Sequence, residues 1–414
     1  MSATGNGVCM LLAQTVLSSI RWPFQHKSIS RGVMKKYLGL LASVGLAAIP
    51  QLTKADGPSA TPSITTPLIT LSNVLVNSGI TANGYVDASY DYLNSDAVFT
   101  SGVPSRVFDT SKSAFALHQV GLIAGYLPTE GFGALLNLTL AQDAGLIHSN
   151  GGGTDSNFDI TQAFVQYATG ALTVIGGKYV TASGAEVINS TANSNASRSI
   201  LFGYAIPFTH TGVRAAYKVS DALSVFGGVN NGWDQVTDLN QQKTAEVGAS
   251  FTPSKVVNVA AVVYSGNEPG AGGTTNGNRT LVDVVATLNV TDALSFVLNG
   301  DYARQSNAIA QGVKATWYGG AGYANYKFSD QWRSSLRFEY FDDKEGYRTG
   351  VPQKWKEATA TVVYSPAASL DLLAEVRDDW TTNHAILRHG SPASSQFSAT
   401  IKAIFKFGTP APSS

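Results

Sequence analysis

The chain has 414 residues, 44% of them hydrophobic and 14% charged, with 41 glycines and a single cysteine. That composition excludes disorder, a collagen-like repeat and a disulfide scaffold. Residues 1–55 hold six of the 28 basic residues and no acidic one, so residues 56–414 keep 22 basic against 28 acidic residues, a net charge of −6. An acidic body without a basic stripe argues against nucleic-acid binding, whose affinity comes from neutralised phosphates.

Met34-Lys35-Lys36 opens a basic region, Tyr37–Ile49 follows as an apolar stretch, and Thr53-Lys54-Ala55 supplies a small-residue boundary. This layout predicts a signal peptide over 34–55, cut near Ala55. Met1, Met10, Met34 and Cys9 all lie at or before position 34, so residues 1–33 read as a non-native upstream extension and the mature chain lacks both sulfur residues. The apolar stretch, about 13 residues, is too short to span a bilayer core of ~30 Å, and no later segment offers roughly 18 consecutive apolar residues. Any spanning of a membrane therefore requires a closed barrel. Residues 56–79, with Pro58, Pro62 and Pro67, read as a periplasmic N-terminal segment.

From Ile80 onward the hydrophobic pattern has period two. Sixteen segments show it, near 80–92, 114–126, 131–143, 159–168, 172–180, 209–219, 222–231, 244–252, 256–265, 279–290, 294–304, 315–328, 331–342, 356–365, 369–379 and 396–407. In the last, Phe397, Ala399, Ile401, Ala403, Phe405 and Phe407 form one face and Ser398, Thr400, Lys402 and Lys406 the other, with Ile404 as the exception. About 11 residues of alternation is what a tilted strand needs to cross a bilayer.

The connections alternate as well. Tight turns such as Ser220-Asp221, Thr291-Asp292 and Ser329-Asp330 follow the even segments, and Asp there closes a turn on its own backbone. Loops of about 10 to 30 residues are expected after every odd segment. The reading is an all-β fold, a transmembrane antiparallel up-and-down barrel of about 16 strands over 80–407, with a short tail at 408–414. Alternation alone fits a soluble β-sandwich equally well. The short/long alternation and the export signal argue against it, as do the outward aromatics near strand ends (Tyr90, Tyr126, Tyr217, Phe251, Tyr302, Tyr326, Tyr364, Phe407). Sixteen strands leave an aqueous interior, lined on the polar face by Arg214, Lys218, Asp283, Asp301, Glu375 and Arg377.

Particular stretches carry a family likeness: Gly84-Tyr85-Val86-Asp87-Ala88-Ser89-Tyr90, Gly177-Lys178-Tyr179-Val180-Thr181, Gly184-Ala185-Glu186-Val187-Ile188, Tyr204-Ala205-Ile206-Pro207-Phe208-Thr209-His210-Thr211-Gly212-Val213, and Asn231-Gly232-Trp233-Asp234 with Asn240 and Lys243. On these the chain resembles the beta-barrel porin-2 (OmpL-like) family over nearly all of its mature length. The resemblance implies a porin of the bacterial outer membrane in a Gram-negative organism: a channel for passive diffusion of small hydrophilic solutes and ions, with no cofactor and no catalytic residues to carry over. It also implies outer-membrane lipid as surroundings, a homotrimer, and recognition of the C-terminal strand by the barrel-assembly machinery. The tail after Phe407 departs from barrels that end on the aromatic itself.

The longest connection, 181–208, resembles by position the loop that narrows the lumen of general porins. If it enters the barrel, Lys178, Glu186, Arg198, His210 and Arg214 are the charges nearest a constriction, acting through field and size; if it stays outside, they form a structural ion-pair network. Farther along, Arg333, Arg337, Arg377 and Lys402 mix with Glu339 and Glu375 on the lumen face, so no charge preference follows.

His118, His148, His210, His384 and His389 have no helix-face metal spacing, and neither HExxH nor GxSxG occurs. Asp342-Asp343-Lys344-Glu345 and Asp378-Asp379 lack the spacing of a calcium loop. The remaining rival is a non-conducting barrel that acts as adhesin, receptor or structural protein through its long loops. Its mark would be bulky inward residues or a plug, whereas the inward positions read here as mainly Ser, Thr, Asn, Gly and charges.

Overall fold

The computed structural model describes residues 79–151 and 157–409. The upstream extension, the signal peptide, nearly all of the 56–79 segment and the end of the 408–414 tail lie outside the described residues.

The barrel strands are β1 (Thr81–Leu93), β2 (Ala114–Tyr126), β3 (Gly131–Leu140), β4 (Phe158–Thr169), β5 (Leu172–Val180), β6 (Thr209–Lys218), β7 (Leu223–Asn230), β8 (Thr244–Phe251), β9 (Val257–Pro269), β10 (Asn276–Asn289), β11 (Leu294–Ala310), β12 (Val313–Lys327), β13 (Trp332–Asp343), β14 (Gln353–Ala367), β15 (Leu370–Thr381) and β18 (Ser395–Gly408). A small hairpin, β16 (Ile386–Arg388) and β17 (Ser391–Ala393), stands in the last long loop, and a short helix α1 (Asp143–Ile147) follows β3. Every barrel strand pairs antiparallel with its neighbour, and β18 closes the ring on β1 in the register Gly84↔Phe407 and Ser89↔Lys402. Closure leaves no free edge, so each backbone group in the wall has a partner without water. Among the described residues no helix is long and apolar enough to cross a membrane.

The outward face is apolar and bare: Phe115 is 86% and Phe132 78% exposed. In a soluble protein that would be an aggregation surface; here it is the lipid face. Aromatics cluster near strand ends, as in Trp332 stacked on Tyr364 at 4.6 Å and Tyr326 edge-on to Phe328 at 4.9 Å.

Two expectations need correction. The connections after β9 and β11 are not long: only residues 270–275 and the pair Gln311-Gly312 separate the strands. Pairing continues through Arg304 and Gln305, then shifts register before Ala310. Polar residues occupy both faces there, so the hydrophobic period disappears while the ladder goes on. The inward face carries, besides its Ser, Thr, Asn and charged residues, bulky apolar ones that were not expected. Trp317, Trp355, Phe341, Tyr264 and Leu281 point inward and are fully buried against Phe99, Phe108, Phe202 and Trp233 from the loops. Ile404, the exception in the alternation, is one of these: it packs with Tyr85, Val363 and Leu373 under Ala196 of the 181–208 loop. The chain thus has an apolar cluster inside a ring whose outside is apolar too, because loops fold back and bring their own hydrophobic residues.

Candidate functional site

The 181–208 loop enters the barrel. Gly184, at φ +90, makes the inward turn, and a Cβ there would lie 2.6 Å from Ile206 Cδ1. The first pass is hung on the wall by backbone amides: Ala182 N donates to Tyr264 Oη at 2.9 Å and Ala185 N to Asn299 Oδ1 at 3.1 Å. On the far side, Gln119 Nε2 donates to Ile188 O at 3.0 Å. Gln119 can reach because β2 bulges at His118, which has no partner where the register shifts between Asp87 and Ala88 of β1, and both His118 and Gln119 are buried on the lumen side.

The return pass, 195–201, is fastened by charges that alternate along its backbone. Glu375 accepts from Ala196 N at 2.6 Å and Ser197 N at 3.0 Å, and Glu339 accepts from Ile200 N at 2.9 Å and Leu201 N at 3.1 Å. Glu186, from the first pass, takes Ser199 N at 2.7 Å. The carbonyls are met by cations: Lys402 Nζ donates to Ala196 O at 2.8 Å, Arg337 Nη1 to Ser197 O at 2.8 Å and Arg377 Nη1 to Arg198 O at 2.6 Å. A non-regular segment buried in a lumen needs partners for its own amides and carbonyls, and charged side chains give the stronger bonds. Five residues of one turn, Leu201–Ala205, then carry the chain to Trp317, whose Nε1 donates to Ala205 O at 3.0 Å.

The charges also neutralise one another. Arg337, fully buried, bonds Glu186 at 2.7 Å and Glu357 at 2.9 Å, and Arg377 bonds Asp379 at 2.8 Å. The loop after β1 joins in through Arg106, 2.6 Å from Asp379, and through Phe99, whose ring lies 5.0 Å from that of Trp355.

Of the sequence-predicted residues, Glu186, Arg198, Arg337, Glu339, Glu375, Arg377 and Lys402 meet in this belt; Arg198 Nη2 donates to Ile188 O at 2.7 Å. The others stand apart. Lys178 pairs with Asp159 at 3.0 Å, Arg214 with Glu246 at 2.8 Å beneath Tyr179 and Phe226, and His210 stacks on Tyr264 at 4.7 Å. Asp283 and Asp301 face each other across β10 and β11, with Asn299 Nδ2 2.6 Å from Asp283. Lys218 is at the short-turn rim with Asp221 at 2.8 Å, and Arg333 is near that rim with Asp371 at 3.0 Å. Sequence reasoning missed Arg106 and Asp109, because charges in a long polar loop read as solvated.

Asp109 accepts from Arg198 N at 2.8 Å. Burial pushes its carboxyl up, yet Lys402, His118 and that hydrogen bond outweigh burial and hold it below the usual carboxylate range. A lowered value stabilises the folded state above the unfolded value, and the stabilisation is lost as pH falls through the lowered one, below about 4. The melting midpoint in detergent, followed by heat-modifiable gel mobility, should therefore fall on acidification, and less steeply in Asp109→Asn, which has forfeited the contribution at every pH. An equal fall in both proteins would refute the assignment.

One constellation resembles a hydrolase. Ser89 Oγ lies 2.8 Å from His118 Nε2, and His118 Nδ1 lies 3.5 Å from Asp143. Asp91, however, is 3.1 Å from the same Nε2 and takes the Ser89 hydroxyl proton at 2.6 Å. Both ring nitrogens thus point at carboxylate oxygens as donors, and neither is placed to take a proton from the serine.

The family model described as "Putative beta-barrel porin-2, OmpL-like" matches residues 79–407, most of the chain. The chain belongs to this porin family. It is an outer-membrane porin, and its place is the bacterial outer membrane. Solved structures share the fold of the porin at low identity. The outer membrane channel DcaP of Acinetobacter baumannii is 14% identical with a TM-score of 0.54, covering 79% of this chain and 97% of its own. OmpT of Vibrio cholerae in its trimer form is 15% identical with a TM-score of 0.53, covering 79% and 99%. The anion-selective porin from Comamonas acidovorans is 14% identical with a TM-score of 0.51, covering 79% and 99%. No curated protein matches the chain.

Proposed function

We propose that the porin passes small hydrophilic solutes and ions by passive diffusion, without catalysis, and that the 181–208 loop forms its narrowest section. The observation that carries this reading is the charge-fastened return pass across the lumen. Glu186, Arg198, Arg337, Glu339, Glu375, Arg377 and Lys402 then shape the opening by holding the loop, Arg214, Lys218 and Arg333 line what remains, and the buried Lys178, His210, Asp283 and Asp301 brace the wall behind it. A homotrimer fits the apolar grooves, about 450 and 420 Å³, that run from the end of β18 and β1 over the outward faces of β2–β5 among Leu122, Ala124, Leu136 and Val165. Outer-membrane lipid covers the rest of that surface, and β18 presents the assembly signal.

Planar-bilayer recording of the purified protein tests both points: stable conductance steps arriving in threes are expected. The second reading, a closed barrel that works through its outer loops, is favoured by the aromatic packing of Phe99, Phe108, Trp317 and Trp355 in the long-loop half. Insertion without conductance would establish it and end the diffusion reading.

A further inference from the structure

Beneath the loop, toward the short turns, the lumen opens into a polar cavity of about 380 Å³ between β10 and β13. Its lining includes Lys255, Lys327 and Arg333, with Asp292 the one carboxylate among them, and the exposed Ser194 at the tip of the loop forms its roof. The cations are poorly neutralised. A single oxygen of Asp371 serves both Arg333 and Lys406, each at 3.0 Å, which leaves one positive charge over. Lys327 holds only the fully exposed Asp330, a pair that solvent screens, and among the described residues no carboxylate pairs with Lys255. Arg333 is fixed in place by Ser365 Oγ at 2.9 Å and by Asp371, so its guanidinium is pre-positioned, and its side chain stays 41% exposed. Neutral hydrogen-bonding groups complete the lining: Ser335, Asn289 and Asn325.

We propose that this vestibule is a binding site for a small oxyanion, seated between Arg333 and Lys255 with the Asn325 side-chain N–H and the Ser194 hydroxyl as supporting donors. A planar guanidinium held at one edge and a mobile ammonium opposite suit a carboxylate or phosphate, with the excess positive charge supplying attraction. The site deepens the diffusion reading, since it lies on the solute path that reading requires, but binding is measurable without conduction.

Isothermal titration of the purified protein with inorganic phosphate at neutral pH is the test. Saturable binding is expected, weakened about ten-fold or more in the double variant Arg333→Gln/Lys255→Gln and unchanged in Lys112→Gln, a lysine of the opposite mouth. Heat-modifiable mobility confirms that each variant is folded. No saturable binding, or equal binding by the double variant, would overturn the site. Phosphate binding by a protein that never conducts would leave the site standing and remove the diffusion reading instead.

Discussion

Replacing Arg337 with alanine should destabilise the barrel by about 3–5 kcal/mol, the cost of breaking a buried ion pair from one side. Arg337 is fully buried, and its guanidinium meets Glu186, Glu357 and the Ser197 carbonyl at 2.7–2.9 Å, with Glu339 at 3.6 Å. Its removal leaves three carboxylates facing one another in a site that water reaches poorly. Truncating the arginine also frees the loop at its centre, so single-channel records should become noisy as the return pass leaves the wall. The melting midpoint by heat-modifiable mobility reads the first effect and current variance the second. A variant as stable and as quiet as the parent would mean that the belt holds nothing.

Excising residues 189–206 and closing the gap with a short Gly-Ser linker should raise unitary conductance several-fold. The wall does not need the loop: each strand pairs with two neighbours independently of it, and a 16-strand ring is wide enough for an aqueous channel. What the loop removes is cross-section, through Phe202, Tyr204 and Ile206 packed against Trp317 and Phe108. Folded trimers or monomers that conduct at the parental level would show that another element limits the current, the loop after β1 with Phe99 and Phe108 being the next to excise.

How far the sequence could be read depended on whether a residue's partner was a side chain or a backbone. All sixteen barrel strands were legible, because lipid on one side and a polar interior on the other enforce alternation. The charged lumen residues were legible for the same reason. What they bind was not: Glu339, Glu375, Arg377 and Lys402 each grip amides or carbonyls of 195–201, and backbone groups leave no mark on composition. The inward aromatics were hidden differently. Trp317 lies in a strand where both faces carry large residues, so the pattern of two blurs, Trp355 falls just before the segment read at 356–365, and only the returning loops make an inward tryptophan favourable. The Ser-His-Asp arrangement around Ser89 shows the converse: three residues from separate segments gave no motif and, once assembled, the extra carboxylate of Asp91 gives them a structural role.

Lys402 binds three parts of the chain that are made at different times. Its ammonium reaches Asp87 on the first strand at 3.2 Å and Ala196 O in the middle of the sequence at 2.8 Å, while it belongs to the last strand itself, 315 residues beyond Asp87. The seam of the barrel and the anchoring of the loop therefore share one side chain. A loop still outside when β18 docks leaves this lysine paired with Asp87 on the neighbouring strand alone, with Glu375 beside it missing its loop amides and Arg377 its loop carbonyl. Non-local contacts of this kind are the slow ones, since the entropy of closing so long a chain is lost before any contact forms. The final strand thus couples the two ends of the fold: one ammonium ties β18 to β1 and, at the same time, holds the return pass of the loop.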